Sequence, residues 1–74
     1  MISLKEAFRL TDIKNTEFCY IRTKEQDRYS SNILSGKAVR EKYDMKHTMV
    51  FKISPRFDFH GEYLGIEFII KERK

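Results

Sequence analysis

The clearest periodicity in the chain lies in its last third. From His47 to Ser54 the apolar residues Met49, Phe51 and Ile53 recur at every second position, and from Tyr63 to Lys71 so do Leu64, Ile66, Phe68 and Ile70. A period of two puts each set on one face of an extended segment, so both read as half-buried strands. A two-residue turn at His60 and Gly61 would join them, setting Phe57 against Leu64, Ile53 against Phe68 and Phe51 against Ile70. All these pairs are apolar and face one side. A slip of one residue would bring Glu67, Ile69 and Lys71 against the apolar row, so the pattern selects the register. Pro55 has no N–H to give a ladder and marks an edge position or a bulge, while Gly65 marks a close backbone approach or a bend.

The first residues carry a helical pattern instead. Ser3 and Glu6 have the spacing of a capping box, with Ile2 and Ala7 placed for a hydrophobic staple around it. Leu4, Ala7, Phe8 and Thr11 then share one face, and the helix is expected to end near Leu10 or Thr11. The aromatic and branched run EFCYIRT, Glu17 to Thr23, reads as a strand. Two readings fit the stretch from Arg28 to Leu34: a second strand, or an early helix start capped by Ser30, Ser31 or Asn32. Ser35 is the preferred cap of a helix over Lys37 to Asp44, with Ala38, Val39 and Tyr43 on its packing side. On its polar side Lys37–Glu41 and Arg40–Asp44 are spaced to pair.

The expected architecture is a small single α+β domain over residues 1–74, of order α-β-β-α-β-β. A four-stranded, mainly antiparallel sheet carries both helices on one face and ends in a C-terminal β-hairpin. The core is expected from Leu4, Phe8, Ala38, Val39, Tyr43, Phe51, Ile53, Phe57, Leu64, Ile66, Phe68 and Ile70. A chain of this length buries only about 60% of the surface it exposes when unfolded, which leaves no room for a cleft between two lobes. Any site must be a face, an edge or a shallow hollow.

Composition narrows the function classes. Fifteen Lys and Arg against eleven Asp and Glu give a net charge of +4. Residues 1–34 carry six basic and five acidic groups, whereas 35–74 carry nine and six, so the surplus sits in the second half. Cys19 is alone and excludes an internal disulfide, which points to a reducing cytoplasm, and to a small buried core residue. The first ten residues have no signal-peptide pattern, and no apolar run nears the ~20 residues needed to span a bilayer.

Catalytic and metal chemistry find little support. Arg56, Asp58 and His60 share strand parity, and an aspartate so close to a histidine suits general-base work, but no nucleophile is paired with them and a hairpin tip excludes no water. His47, His60 and Cys19 lack any metal-ligand spacing, and the three glycines match no phosphate loop. The chain therefore reads as non-enzymatic, with no cofactor and no metal.

What remains is the face of the hairpin opposite the helices. Alternation places Lys52, Arg56, Lys71 and Arg73 there with Tyr63, Val50 and Ile69, interrupted by Asp58 and Glu67. Such a face holds a nucleic-acid backbone by charge while a ring stacks on a base. The expected binding residues are Lys52, Arg56, Tyr63, Ile69, Lys71 and Arg73, with nucleic acid as the first partner. The alternative is a protein-binding or inhibitory module acting through the same hairpin or an edge strand, which would also admit a homodimer. Neither a helix-turn-helix nor the aromatic motif of RNA-recognition sheets is present.

Overall fold

In the computed structural model, which describes residues 1–71, Ser3 caps the first helix, α1 (Leu4–Thr11), as its position predicts. Its Oγ accepts the Glu6 backbone N–H at 3.1 Å and so satisfies one orphan donor of the first turn. The reciprocal half of the capping box is not made, because Glu6 pairs with Arg9 one turn on. The helix stops at Asp12, whose φ of 52° is left-handed and whose N–H returns to the Phe8 carbonyl.

The ambiguous stretch between the first strand and the second helix resolves into two pieces. After β2 (Phe18–Thr23) comes a 3-10 turn, Arg28–Ser30, and then β3 (Asn32–Ser35), paired antiparallel with β2. Ser35 ends that strand and caps α2 (Gly36–Lys42), its Oγ accepting the Ala38 N–H at 3.1 Å. The helix is shorter than its charge pattern suggests. Tyr43 is already extended, and Asp44 instead caps the next turn through the N–H groups of Lys46 and His47. The expected Arg40–Asp44 pair is therefore replaced. Arg40 donates to Asn15 Oδ1 and the Ile13 carbonyl, with its guanidinium 5.0 Å from the centre of the Phe8 ring.

Among the described residues the sheet is five-stranded and mixed, in the order β1 (Ile2–Ser3), β4 (Met49–Phe57), β5 (Tyr63–Lys71), β2 and β3, which corrects the four-stranded expectation. The extra strand, β1 (Ile2–Ser3), lies antiparallel to Val50 and Met49 of β4 (Met49–Phe57). The central seam is parallel: β5 (Tyr63–Lys71) runs beside β2, from Tyr20 opposite Glu67 to Thr23 opposite Ile70. This seam places Ile21 beside Phe68, both sealed from solvent. Leu4, Ala7 and Phe8 of α1 and Val39 of α2 meet Cys19, Ile21, Val50, Phe68 and Ile70 in one cluster, so both helices cover the same side of the sheet. No helix among the described residues is long and apolar enough to cross a membrane.

In the hairpin the middle of the expected register holds, with Ile53 opposite Phe68, but both ends shift. Phe51 and Leu64 are bulged out, so Val50 faces Ile70 and Phe57 faces Tyr63. A bulge adds one residue to one strand and reverses inside and outside beyond it. Val50 accordingly takes the core position expected of Phe51, while Phe51, Phe57 and Leu64 are exposed. The turn is also longer than two residues. Asp58 donates its N–H to the Glu62 carbonyl, and its own carbonyl accepts the Gly61 N–H, leaving Phe59, His60 and Gly61 at the tip, with Gly61 left-handed at φ 85°.

An open strand edge and a tight glycine contact complete the scaffold. Because β1 covers only Met49 and Val50, β4 has among the described residues an open outer edge from Phe51 to Phe57, and Pro55 lies within it, consistent with its edge reading. Gly36 sits where α2 meets the loop after α1: its N–H reaches the Glu17 carbonyl, and a Cβ there would stand 2.3 Å from the Lys14 carbonyl oxygen. The loop backbone would have to move. Gly36→Ala is thus expected to lower stability by about 1–3 kcal/mol, measured as a reduced urea midpoint at unchanged slope.

Candidate nucleic-acid interface

On the side of the sheet away from the helices, β5 presents Glu67, Ile69 and Lys71, β2 presents Tyr20 and Arg22, and β4 presents Lys52, Ser54 and Arg56. This face is not open throughout. The connection from β2 to β3 is tied back to it through a buried acid, Glu67, whose side chain is only 4% exposed. Glu67 Oε2 accepts from Ser31 Oγ at 2.7 Å and from Arg56 Nη1 at 2.8 Å, and Arg22 Nε lies 3.3 Å away. Arg56 also donates to the Arg28 carbonyl, and Arg22 to the Gln26 carbonyl, so both guanidinium groups grip the crossing segment. Arg56 lies 4.7 Å from the centre of the Tyr20 ring.

Charge and burial act against one another at Glu67. Removal from water would raise its pKa, but the hydrogen bonds from Ser31 and Arg56 and the charge of Arg22 outweigh it and hold the carboxyl below the ordinary range. The Nε atoms of Arg22 and Arg56 are buried without a hydrogen-bond partner, so Glu67 carries most of the compensation for two cations.

The expected binding residues separate accordingly. Lys52 and Lys71 are exposed on this face, as anticipated. Arg56 is on the same face but engaged with Glu67 and 12% exposed, so the reading of it as a free cation is corrected. Ile69 is 9% exposed between Arg22 and Lys52, too enclosed to be the contact surface expected of it. Tyr63 lies on the opposite face, its ring edge-on to Phe57 at 5.8 Å, because the bulge at Leu64 reverses its side. Arg73 falls outside the described residues.

Two residues overlooked by the alternation rule join the two lysines. Phe51, expelled from the core by its bulge, is 42% exposed, and Lys24 Nζ stands 5.5 Å from the centre of its ring. Lys24 follows Thr23, the partner of Ile70, and so lies level with Lys71 across the parallel seam. Lys24, Phe51, Lys52 and Lys71 thus form one patch at the carboxyl ends of β2 and β5. None of the three lysines makes an ion pair among the described residues.

The Arg56, Asp58 and His60 trio does not converge. Asp58 Oδ1 is occupied by the backbone N–H groups of His60 and Glu62, and the His60 ring packs against Phe59 at 4.0 Å. Cys19 is sealed in the core, where burial pushes its thiol up to about 11, so little of the nucleophilic thiolate exists at neutral pH. Among the described residues no group of three His, Cys, Asp or Glu gathers to hold a metal ion. No family model, characterised sequence or solved structure matches the chain.

The buried acid yields a stability prediction. Glu67→Ala leaves two guanidinium groups facing each other and is expected to cost about 3–5 kcal/mol. Because the folded-state pKa is depressed, the stabilisation is complete above the ordinary glutamate value of about 4.3 and is lost as pH falls through the lower folded value. Urea midpoints of the native protein and Glu67→Gln should therefore differ most above that pH and converge below it; parallel curves would contradict the assignment.

Proposed function

We propose that the protein is a non-enzymatic module that binds single-stranded nucleic acid through Lys24, Phe51, Lys52 and Lys71. The observation that carries this reading is a half-exposed phenyl ring with the Lys24 ammonium beside it and Lys52 and Lys71 on neighbouring strand positions, none of the three having an acidic partner among the described residues. Each ammonium attracts a phosphate, and the ring offers a surface on which an unpaired base stacks. A duplex hides its base faces, so one exposed ring favours a single strand. Glu67, the acid that would oppose a polyanion on this face, is already neutralised beneath Arg22 and Arg56.

The test is a salt titration of binding to a labelled oligonucleotide, single-stranded and then duplex. Affinity should fall steeply with salt, and each of Lys24→Ala, Lys52→Ala and Lys71→Ala should flatten the log–log slope by about 0.7 for a single strand. Phe51→Ala should weaken binding by about 1–3 kcal/mol with the slope unchanged. A flat salt response, or full affinity in the variant lacking all three lysines, would overturn the proposal.

A further inference from the structure

We infer that the open outer edge of β4 takes an extended segment of another protein whose residues alternate between apolar and acidic. From Phe51 to Phe57 this edge has no neighbouring strand among the described residues, so it offers a row of backbone donors and acceptors, less the N–H that Pro55 lacks, whose natural complement is another strand. The two sides of the edge differ sharply. Towards the helices stand Ile53, Pro55 and Phe57, continued by the Tyr63 ring, with Phe57 51% and Tyr63 58% exposed. Away from them stand Lys52, which is exposed, and Arg56, which is held by Glu67, and no acidic residue occurs anywhere in β4.

A strand laid on this edge has its own side chains on alternate faces, so one set meets the apolar side and the other meets Lys52. The apolar set is matched by Val, Ile or Leu. The other set is matched by Glu or Asp. A second copy of the chain does not meet this requirement. Antiparallel pairing of two β4 strands about Ser54 would set Lys52 opposite Arg56, which is already committed to Glu67, so a second β4 brings no acid to Lys52. Lys52 discourages the edge from pairing with its own kind, whereas Pro55, which has no N–H, and the Phe51 bulge shorten the ladder available to any partner. Against an acidic partner Lys52 changes from a deterrent to a contact.

The experiment uses fluorescence anisotropy of a labelled Val-Glu-Val-Glu-Val-Glu-Val peptide titrated with the full chain. Saturable binding is expected, weakened about fivefold or more by Phe57→Asp and by Lys52→Glu, and unchanged by Lys24→Ala, which serves only the nucleic-acid patch. Two further peptides carry N-methyl groups on one or the other set of alternate amides. One should bind and the other should not, because only one set points at β4. These peptides decide the matter even where a protein variant fails to fold. No binding, equal binding of both methylated peptides, equal binding of a peptide with lysine for glutamate, or a stable dimer by sedimentation that Phe57→Asp dissociates would each overturn the inference.

Discussion

The molecule is organised around one carboxylate placed between two guanidinium groups under a crossing strand of backbone. Glu67 lies in the central strand, Arg22 in the strand on one side and Arg56 in the strand on the other, so the cluster links β2, β5 and β4 across the face that the helices leave bare. Through Ser31, Gln26 and Arg28 it also fixes the connection between β2 and β3. A small domain has one hydrophobic core and must cover the second side of its sheet with something else. Here that cover is ionic and hydrogen-bonded, and its integrity depends on the charge of a single acid.

Much of the scaffold is legible in the chain because it arises from near neighbours. Ser3 and Ser35 cap their helices, and the alternation around Ile53 and Phe68 sets the hairpin register at its centre, as side-chain geometry requires. The failures share a cause. Alternation identifies a strand but not the residue that a bulge removes from it, so by that rule Phe51 belongs to the core and Tyr63 to the wrong face. The parallel seam between β2 and β5 joins segments distant in the chain, and no local pattern announces it. Glu67 reads as an interruption of a basic face because sequence shows a charge but not its depth. For the same reason Arg56 and Ile69 look accessible.

The bulges also divide the surface into regions of distinct chemistry. At one end of the hairpin, the expelled Phe51 lies beside Lys24, with Lys52 and Lys71 on neighbouring strand positions. At the other, Phe57 and Tyr63 extend the helix-side face beyond anything that covers it. A strictly regular ladder would have buried the first ring and moved Tyr63 to the opposite side. Two inserted residues therefore convert what would be a uniform strip into an aromatic-cationic patch and an aromatic shelf.

The lone thiol gives the molecule an internal clock. Cys19 sits in β2 with no solvent exposure, and its weak acidity keeps it unreactive while the sheet is closed. An alkylating reagent reaches it only when β2 separates from its neighbours or the helices lift from the sheet. With no second cysteine to share the signal, the rate of alkylation reads the opening of the core around β2 without any introduced label.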